Sequence, residues 1–258
     1  MFAKQDKLSI RLAETEIDRL GAERLRYNVF VEELGGGGEG VDHKSRFERD
    51  RFDPHYDHMI LVDETRDQDA LDHVVGVYRL MPGERAADIG GFYSEGEYDL
   101  SVLFASGRKL LEFGRSCVHA DYRDGLALRQ LWAGLGSYVL QSGAEILFGV
   151  ASFHGTDIPS LAPALTQLHQ RHLAPPDLRV RALPEAYQPM NLVDDIQIDR
   201  VAAMRSVPPL IKSYLKLGGF VGDGAFIDRA FNTTDICLVL DTARMSERDR
   251  TRFAISDV

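Results

Sequence analysis

Apolar and polar residues alternate over 8–12, which predicts an edge strand. From Thr15 the period becomes helical: Ile17, Leu20, Leu25, Val29 and Phe30 recur on one face as far as Leu34, and the glycine run 35–38 stops them. Residues 39–58 are charged and turn-rich and read as a long ordered loop or short helical turns. Two apolar runs, 59–63 and 74–81, predict a hairpin whose acidic connection is 64–73. Residues 82–98 read as loop, 100–104 as a short helix, 111–118 as a strand, 126–140 as a long amphipathic helix and 146–153 as a second apolar strand. Beyond it, 160–172 is helical until Pro175-Pro176, 178–183 is a possible strand, and Pro208-Pro209 opens a helix over 210–217 that Gly218-Gly219 closes. Strands over 226–228 and 235–240 flank Asn232-Thr233-Thr234, and a charged helix over 244–252 ends the pattern. Helices and strands alternate without an internal repeat or a linker. The expectation is one mixed α/β domain over 1–258, with 158–258 as a C-terminal elaboration.

Composition narrows the function classes. At 258 residues, 44% hydrophobic and 27% charged, the chain has the make-up of an ordinary soluble globular protein with a full core. A net charge of −10 argues against nucleic acid as a partner and makes any acidic partner a matter of a local arginine patch. Cys117 and Cys237 lie in apolar runs, which suits a reducing compartment. There is no apolar leader and no run long enough to span a bilayer, so the expected location is the cytoplasm, with peripheral contact at the inner membrane as a further expectation.

Candidate chemistry centres on the stretch 111–125, where a strand carrying Glu112 and Arg115 meets the turn Arg123-Asp124-Gly125 and then a helix start. Positions three apart in a regular strand point to opposite faces. A bulge at Gly114 would bring both side chains to one face. The pair then reads as a general base beside a carboxylate anchor, or equally as a strand-edge salt bridge. The Arg123 turn reads as a phosphate seat or, more simply, as a helix cap. Arg26 and Phe30, one helical turn apart, fit an acyl chain beside a charged group, or the border of an amphipathic helix. Asp50 and Asp53 are set to receive a cationic amine, to pair with Arg26, or simply to be solvated. Arg79 lies inside an apolar strand, where a charge needs a partner or a ligand. Ser152, His154 and Asp157 are the residue types of a hydrolase triad, but no Gly-x-Ser-x-Gly elbow surrounds them; the segment reads as a pocket-shaping strand end. Trp132 and Tyr138 read as core. Histidines 43, 55, 58 and 73 lack ligand spacing, so no metal is assigned.

The order Arg26-x-x-x-Phe30, Asp50-x-x-Asp53, Arg79-Leu80-x-Pro82, Glu112-x-x-Arg115 resembles the acyl-homoserine-lactone autoinducer synthases of the GNAT N-acyltransferase superfamily. The closer resemblance is to the acyl-carrier-protein-dependent L-ornithine Nα-acyltransferases of ornithine-lipid synthesis, often labelled haemolysin-like. It is carried by 25–35, Gly114-Arg115-Ser116-Cys117-Val118-His119, Ala151-Ser152-Phe153-His154-Gly155-Thr156-Asp157, 208–218 and Phe231-Asn232-Thr233-Thr234-Asp235, and it spans nearly the whole chain. Two departures are informative. The superfamily's phosphate loop is degraded to Arg123-Asp124-Gly125-Leu126-Ala127, which favours a carrier-protein donor over free coenzyme A. The tryptophan that autoinducer synthases carry after the first helix is replaced by the glycine run.

The resemblance implies a GNAT-like α/β fold, a mixed central sheet flanked by helices. It implies transfer of a (3-hydroxy)acyl chain from phosphopantetheine on acyl carrier protein to the α-amine of L-ornithine, giving a lyso-ornithine lipid, with no permanently bound cofactor. Glu112 would take the α-ammonium proton and a backbone N–H would hold the oxyanion. Arg115 and Arg79 would hold the acceptor carboxylate, and Asp50 or Asp53 its side-chain ammonium. Arg26, Phe30 and Ser152 would complete the substrate site. Arg123, Gly125 and Arg129 would meet the carrier. Rival readings are the same reaction on glutamine or another amino acid, a lactone-forming synthase using S-adenosylmethionine, and a non-catalytic carrier-binding or membrane-active protein. Membrane contact is expected at 174–186, around Arg179 and Arg181.

Overall fold

The computed structural model describes residues 7–38, 40–194 and 198–246. Edge strand β1 (Leu8–Leu12) is followed by helix α1 (Glu16–Arg26), which Thr15 starts: its hydroxyl accepts from Asp18 N–H while the Asp18 carboxylate accepts from Thr15 N–H. The apolar period to Leu34 fits one α-helix, but the run widens into a π-helix over Tyr27–Glu33. The charged loop that follows holds a two-strand ribbon, β2 (Val41–Asp42) and β3 (Phe47–Glu48), and a 3-10 turn, Asp53–His55. The expected hairpin forms as β4 (Asp57–Asp63) and β5 (Val74–Pro82).

Residues 82–98, expected as loop, contain helix α2 (Gly83–Ile89) and a 3-10 turn, Tyr93–Gly96. Short β6 (Tyr98–Asp99) and α3 (Ser101–Ala105) lead to β7 (Leu110–Val118), then to α4 (Leu126–Ser142), β8 (Ile146–His154) and α5 (Ile158–His172). Of the possible strand at 178–183 only β9 (Arg181–Ala182) forms, pairing with β6. After β10 (Tyr187–Gln188), helix α6 (Arg200–Ser206) is an element the sequence reading missed, since three small residues and a methionine give it little apolar period. Helix α7 (Pro209–Lys216) is followed by β11 (Phe220–Val221), β12 (Ala225–Asp228) and β13 (Thr233–Asp241). A 3-10 turn follows at Thr242–Arg244; of the charged helix expected over 244–252, residues 247–252 lie outside the described residues.

The chain divides into two compact units. Of the described residues, the first comprises those up to Met81 together with Phe113–Gly143; the second comprises Pro82–Glu112 and 144–246. In the first, the strand order is β1-β4-β5-β7. Alternate residues of β4 serve opposite faces. Ile60 and Val62 pack with Ala22, Leu25, Val29, Val74, Val77 and Cys117 on the α1 side. Met59 and Leu61 face α4, and the approach there is close. A Cβ on Gly134 would lie 2.8 Å from Met59 Sδ, and one on Gly76 would lie 3.0 Å from Leu131. Burial of both faces explains why these strands read as continuous apolar runs.

In the second unit, β8 pairs in parallel with β7 over Leu110–Glu112 and antiparallel with β13 along its whole length, so the sheet is mixed. β12, β10 and β11 extend it by way of β13 and β12. The region expected to lie on lipid, 174–186, belongs here and does not present an apolar face. Ala174, Leu178, Val180 and Ala182 are buried in the core, Arg179 donates to the Ala174 carbonyl, and Arg181 pairs with Asp223.

Candidate active site

In the first unit, five of the sequence-derived candidates contribute to a single buried ionic network. Arg26 sits at the last α-helical residue before the π-segment and is 0% exposed. Its Nη1 and Nη2 reach the two Asp53 carboxylate oxygens at 2.6 and 2.8 Å, and its Nε reaches Glu48 Oε2 at 2.6 Å. Arg79, also buried, donates from Nη1 to Asp50 (2.8 Å) and Asp53 (3.2 Å), with its guanidinium 4.4 Å from the centre of the Tyr56 ring. Arg115 reaches Glu48 from Nε at 3.1 Å and Asp50 from Nη2 at 3.4 Å. Three guanidinium groups thus face three carboxylates.

Of the readings open for Asp50 and Asp53, pairing is the one the geometry shows for Asp53. Its two oxygens serve Arg26, Arg79 and the Asp50 amide. Burial would raise its pKa, but the charges of Arg26 and Arg79 and the Arg26 hydrogen bond reverse the sign, and the carboxyl lies far below the usual range. Burial likewise works against the Arg26 charge, and Glu48 and Asp53 overturn it, so Arg26 is held protonated. Asp50 and Arg115 are the members with more solvent access.

Two members were missed in the sequence. Glu48, 1% exposed, bridges Arg26 and Arg115; the spacing Glu48-x-Asp50-x-x-Asp53 was its signal, hidden in a loop that read as solvated. His58 lies within hydrogen-bond distance of the Asp53 carbonyl, at 3.0 Å from Nε2; a carbonyl only accepts, so Nε2 carries the hydrogen. Burial, then the Arg26 charge, push the His58 pKa below its ordinary value.

Where a bulge was expected at Gly114, the unusual backbone lies one residue on: Arg115 adopts φ +48°, and Gly114 is not among the positive-φ residues. A left-handed non-glycine residue costs about 1 kcal/mol or more, and here two carboxylates hold it in place. Phe30, on the π-segment, packs against the α1-side core and remains partly exposed. Beyond β7, Arg123 donates to the Val118 carbonyl and pairs with Glu33 at 2.8 Å, while Asp124 accepts from the Leu126 amide, so that part of the turn serves as a cap. Gly125 takes φ +93° at the N-cap of α4, and Arg129 is exposed.

Glu112 belongs to the second unit and is 2% exposed. Two backbone amides hold its carboxylate: Ser94 N–H donates to Oε1 (2.7 Å) and Tyr93 N–H to Oε2 (3.1 Å). The local sequence explains this nest. Gly90 and Gly91 both take positive φ at the end of α2, and a Cβ on Gly91 would fall 2.3 Å from Glu95 Oε2. Glu95 in turn accepts from Phe92 N–H at 2.6 Å, which leaves the next two amides directed at Glu112. The signal was Gly-Gly followed by a glutamate four residues on. Ser152 is exposed on β8, opposite Asp235 of β13. The two amides fix the carboxylate's orientation and satisfy one lone pair on each oxygen.

Residues 25–133 match the family model described as an acetyltransferase (GNAT) domain. An L-ornithine N(alpha)-acyltransferase of Rhodobacter capsulatus is 56% identical over 97% of this chain and 96% of its own length. One from Brucella abortus is 41% identical over 93% of this chain and 86% of its own. Among solved structures, FeeM, an N-acyl amino acid synthase from uncultured soil microbes, shares the fold: TM-score 0.51 at 12% identity, covering 92% of each chain. The chain belongs to the L-ornithine N(alpha)-acyltransferase family, and it is an acyltransferase with a GNAT fold.

Proposed function

We propose that this enzyme moves a (3-hydroxy)acyl chain from acyl carrier protein to the α-amine of L-ornithine, giving a lyso-ornithine lipid. The observation that carries the reading is near-complete coverage by ornithine acyltransferases at up to 56% identity, together with a buried carboxylate seated on two amides. The whole chain, 1–258, works as one acyltransferase domain with 158–258 as its C-terminal elaboration; the family match at 25–133 runs through sequence from both units.

Glu112, directly or through water, removes the α-ammonium proton, since only the neutral amine is a nucleophile. The amine attacks the thioester carbonyl, a backbone N–H stabilises the oxyanion, and the thiol of phosphopantetheine leaves. The pantetheine arm bonds to β8 backbone near Ser152. Arg115, with its side chain partly open to solvent, meets the acceptor carboxylate, and Asp50 the side-chain ammonium. Arg26, Arg79, Glu48 and Asp53 pair with one another and fix Arg115 and Asp50 in place. Phe30 borders the acyl chain. Arg123, Gly125 and Arg129 form a contact for the acidic carrier. A carrier-bound donor is favoured because the superfamily's phosphate-loop pattern is degraded in this turn, Arg123-Asp124-Gly125-Leu126-Ala127. The enzyme acts in the cytoplasm and at the inner-membrane surface, where an amphiphilic product would go. Among the described residues no helix is long and apolar enough to cross a membrane.

The test is incubation with 3-hydroxyacyl carrier protein, or acyl coenzyme A, and a panel of amino acids, with products weighed by mass spectrometry. Nα-acylornithine formed from the carrier donor is the expected result. Preferential acylation of glutamine, or turnover confined to the coenzyme A donor, would overturn the corresponding part of the reading.

A further inference from the structure

The stretch from Arg200 to Gly222 carries Arg200, Arg205, Lys212 and Lys216 and no acidic residue, in a chain whose net charge is −10. It folds as α6 and α7, two short helices joined through Val207 and Pro208. On α6 the exposed positions Val201, Ala202, Arg205 and Ser206 share one face, while Ala203 is buried on the other. Val201 is 63% exposed, the most exposed of the large hydrophobics on the described surface.

Three contacts gather the basic and apolar side chains. Lys212 Nζ donates to the Arg205 carbonyl at 3.2 Å, which sets the start of α7 against the end of α6. Arg200 donates to Gln167 of α5 at 2.9 Å. Leu192, also exposed, lies in the segment before α6, its amide donating to Thr166 Oγ1 of α5 at 2.9 Å. Asp199, next in sequence, has its carboxylate occupied by the Val201 and Ala202 amides.

We propose that this α6–α7 surface is the enzyme's docking face for an anionic phospholipid membrane, a proposal that rests on the reading of its product as a single-chain amphiphile. Val201, standing in water on the α6 face that carries Arg205, fits interfacial insertion, with the apolar group entering below the headgroups and the cations meeting lipid phosphates. Charge complementarity selects an anionic surface over a neutral one. The exposed valine and leucine select a lipid interface over a purely ionic partner. The face takes the role that the buried side chains at 174–186 cannot fill.

Co-sedimentation of the full-length protein with vesicles of phosphatidylcholine, with and without phosphatidylglycerol, tests this. Binding should require phosphatidylglycerol and fall with added salt. The double substitution Arg205→Gln with Lys212→Gln should weaken it by roughly twentyfold, because each basic residue near an anionic surface contributes a factor of about five. Val201→Asp should weaken it also, and in a way that low salt does not restore. The proposal is overturned if the wild-type protein ignores anionic vesicles, or if the variants bind them as the wild type does. It is equally overturned if the variants lose affinity for acyl carrier protein alone. Acyl transfer to ornithine in lipid-free buffer, measured on the same preparations, isolates the underlying reading: loss of that activity in the wild type removes the proposed reaction, whereas retained activity with failed vesicle binding removes only the docking face.

Discussion

Replacing Asp53 by Asn tests the ionic network where it is most deeply buried. The substitution conserves volume but leaves three arginines facing two carboxylates. Arg26 retains Glu48 at 2.6 Å and loses a two-point charged partner, and Arg79 loses one of its two carboxylates. Breaking a buried ion pair by removing one partner costs about 3–5 kcal/mol. The amide oxygen still accepts one hydrogen bond, so the lower end, about 3 kcal/mol, is expected. With a urea m-value of about 3 kcal/mol/M, this moves the unfolding midpoint down by about 1 M at unchanged slope. Asp50→Asn, at the more solvated edge, should cost about 1 kcal/mol. Equal shifts for the two variants, or a shift below about 0.3 M for Asp53→Asn, would refute the ranking by burial.

Acid should destabilise the fold in two stages. The His58 pKa is depressed in the folded state, so its stabilising contribution is complete above the ordinary value near 6.5 and is lost as pH falls below it; Asp53 follows the same sign below 3.8. Urea midpoints should therefore be flat above about pH 7 and decline from pH 6.5 downward, and His58→Gln should shrink the first stage without abolishing it, because burial depresses the His172 pKa in the same direction. Gly91→Ala forces a side chain onto Glu95 at φ +128°, so turnover should drop by roughly tenfold or more through displacement of the Glu112 nest, with a melting temperature a few degrees lower at most. Arg115→Lys keeps the charge but not the reach to both Glu48 and Asp50. The KM for ornithine should rise by roughly tenfold, with that for the acyl donor unchanged.

The elements with strong period were legible from sequence: the β4–β5 hairpin, β7, α4 and β8 stand within a few residues of expectation because both their faces, or one full stripe, are buried. The π-segment was not, since its apolar spacing satisfies an α-helical template equally well. Strand pieces of two residues, such as β6 and β9, depend on long-range pairing that no local pattern encodes. At the site, the charged residue types were visible and their pairing was not. Arg79 announced itself as a charge in an apolar strand, whereas Glu48 and His58 sat in a segment whose polarity suggested solvent and whose burial comes from tertiary closure over Arg26. The Glu112 nest depends on two amides about twenty residues upstream, brought there by the Gly90-Gly91 turn.

Turnover of Glu112→Gln tests the central claim most directly. The glutamine oxygen can still accept from Ser94 N–H, so the urea midpoint should fall only slightly, by about 1–2 kcal/mol of stability. If Glu112 is the base, the rate of Nα-acylornithine formation from 3-hydroxyacyl carrier protein should fall by roughly 10²–10⁴-fold with the KM for both substrates nearly constant. A folded variant that still acylates ornithine at close to the wild-type rate would remove Glu112 from the chemistry.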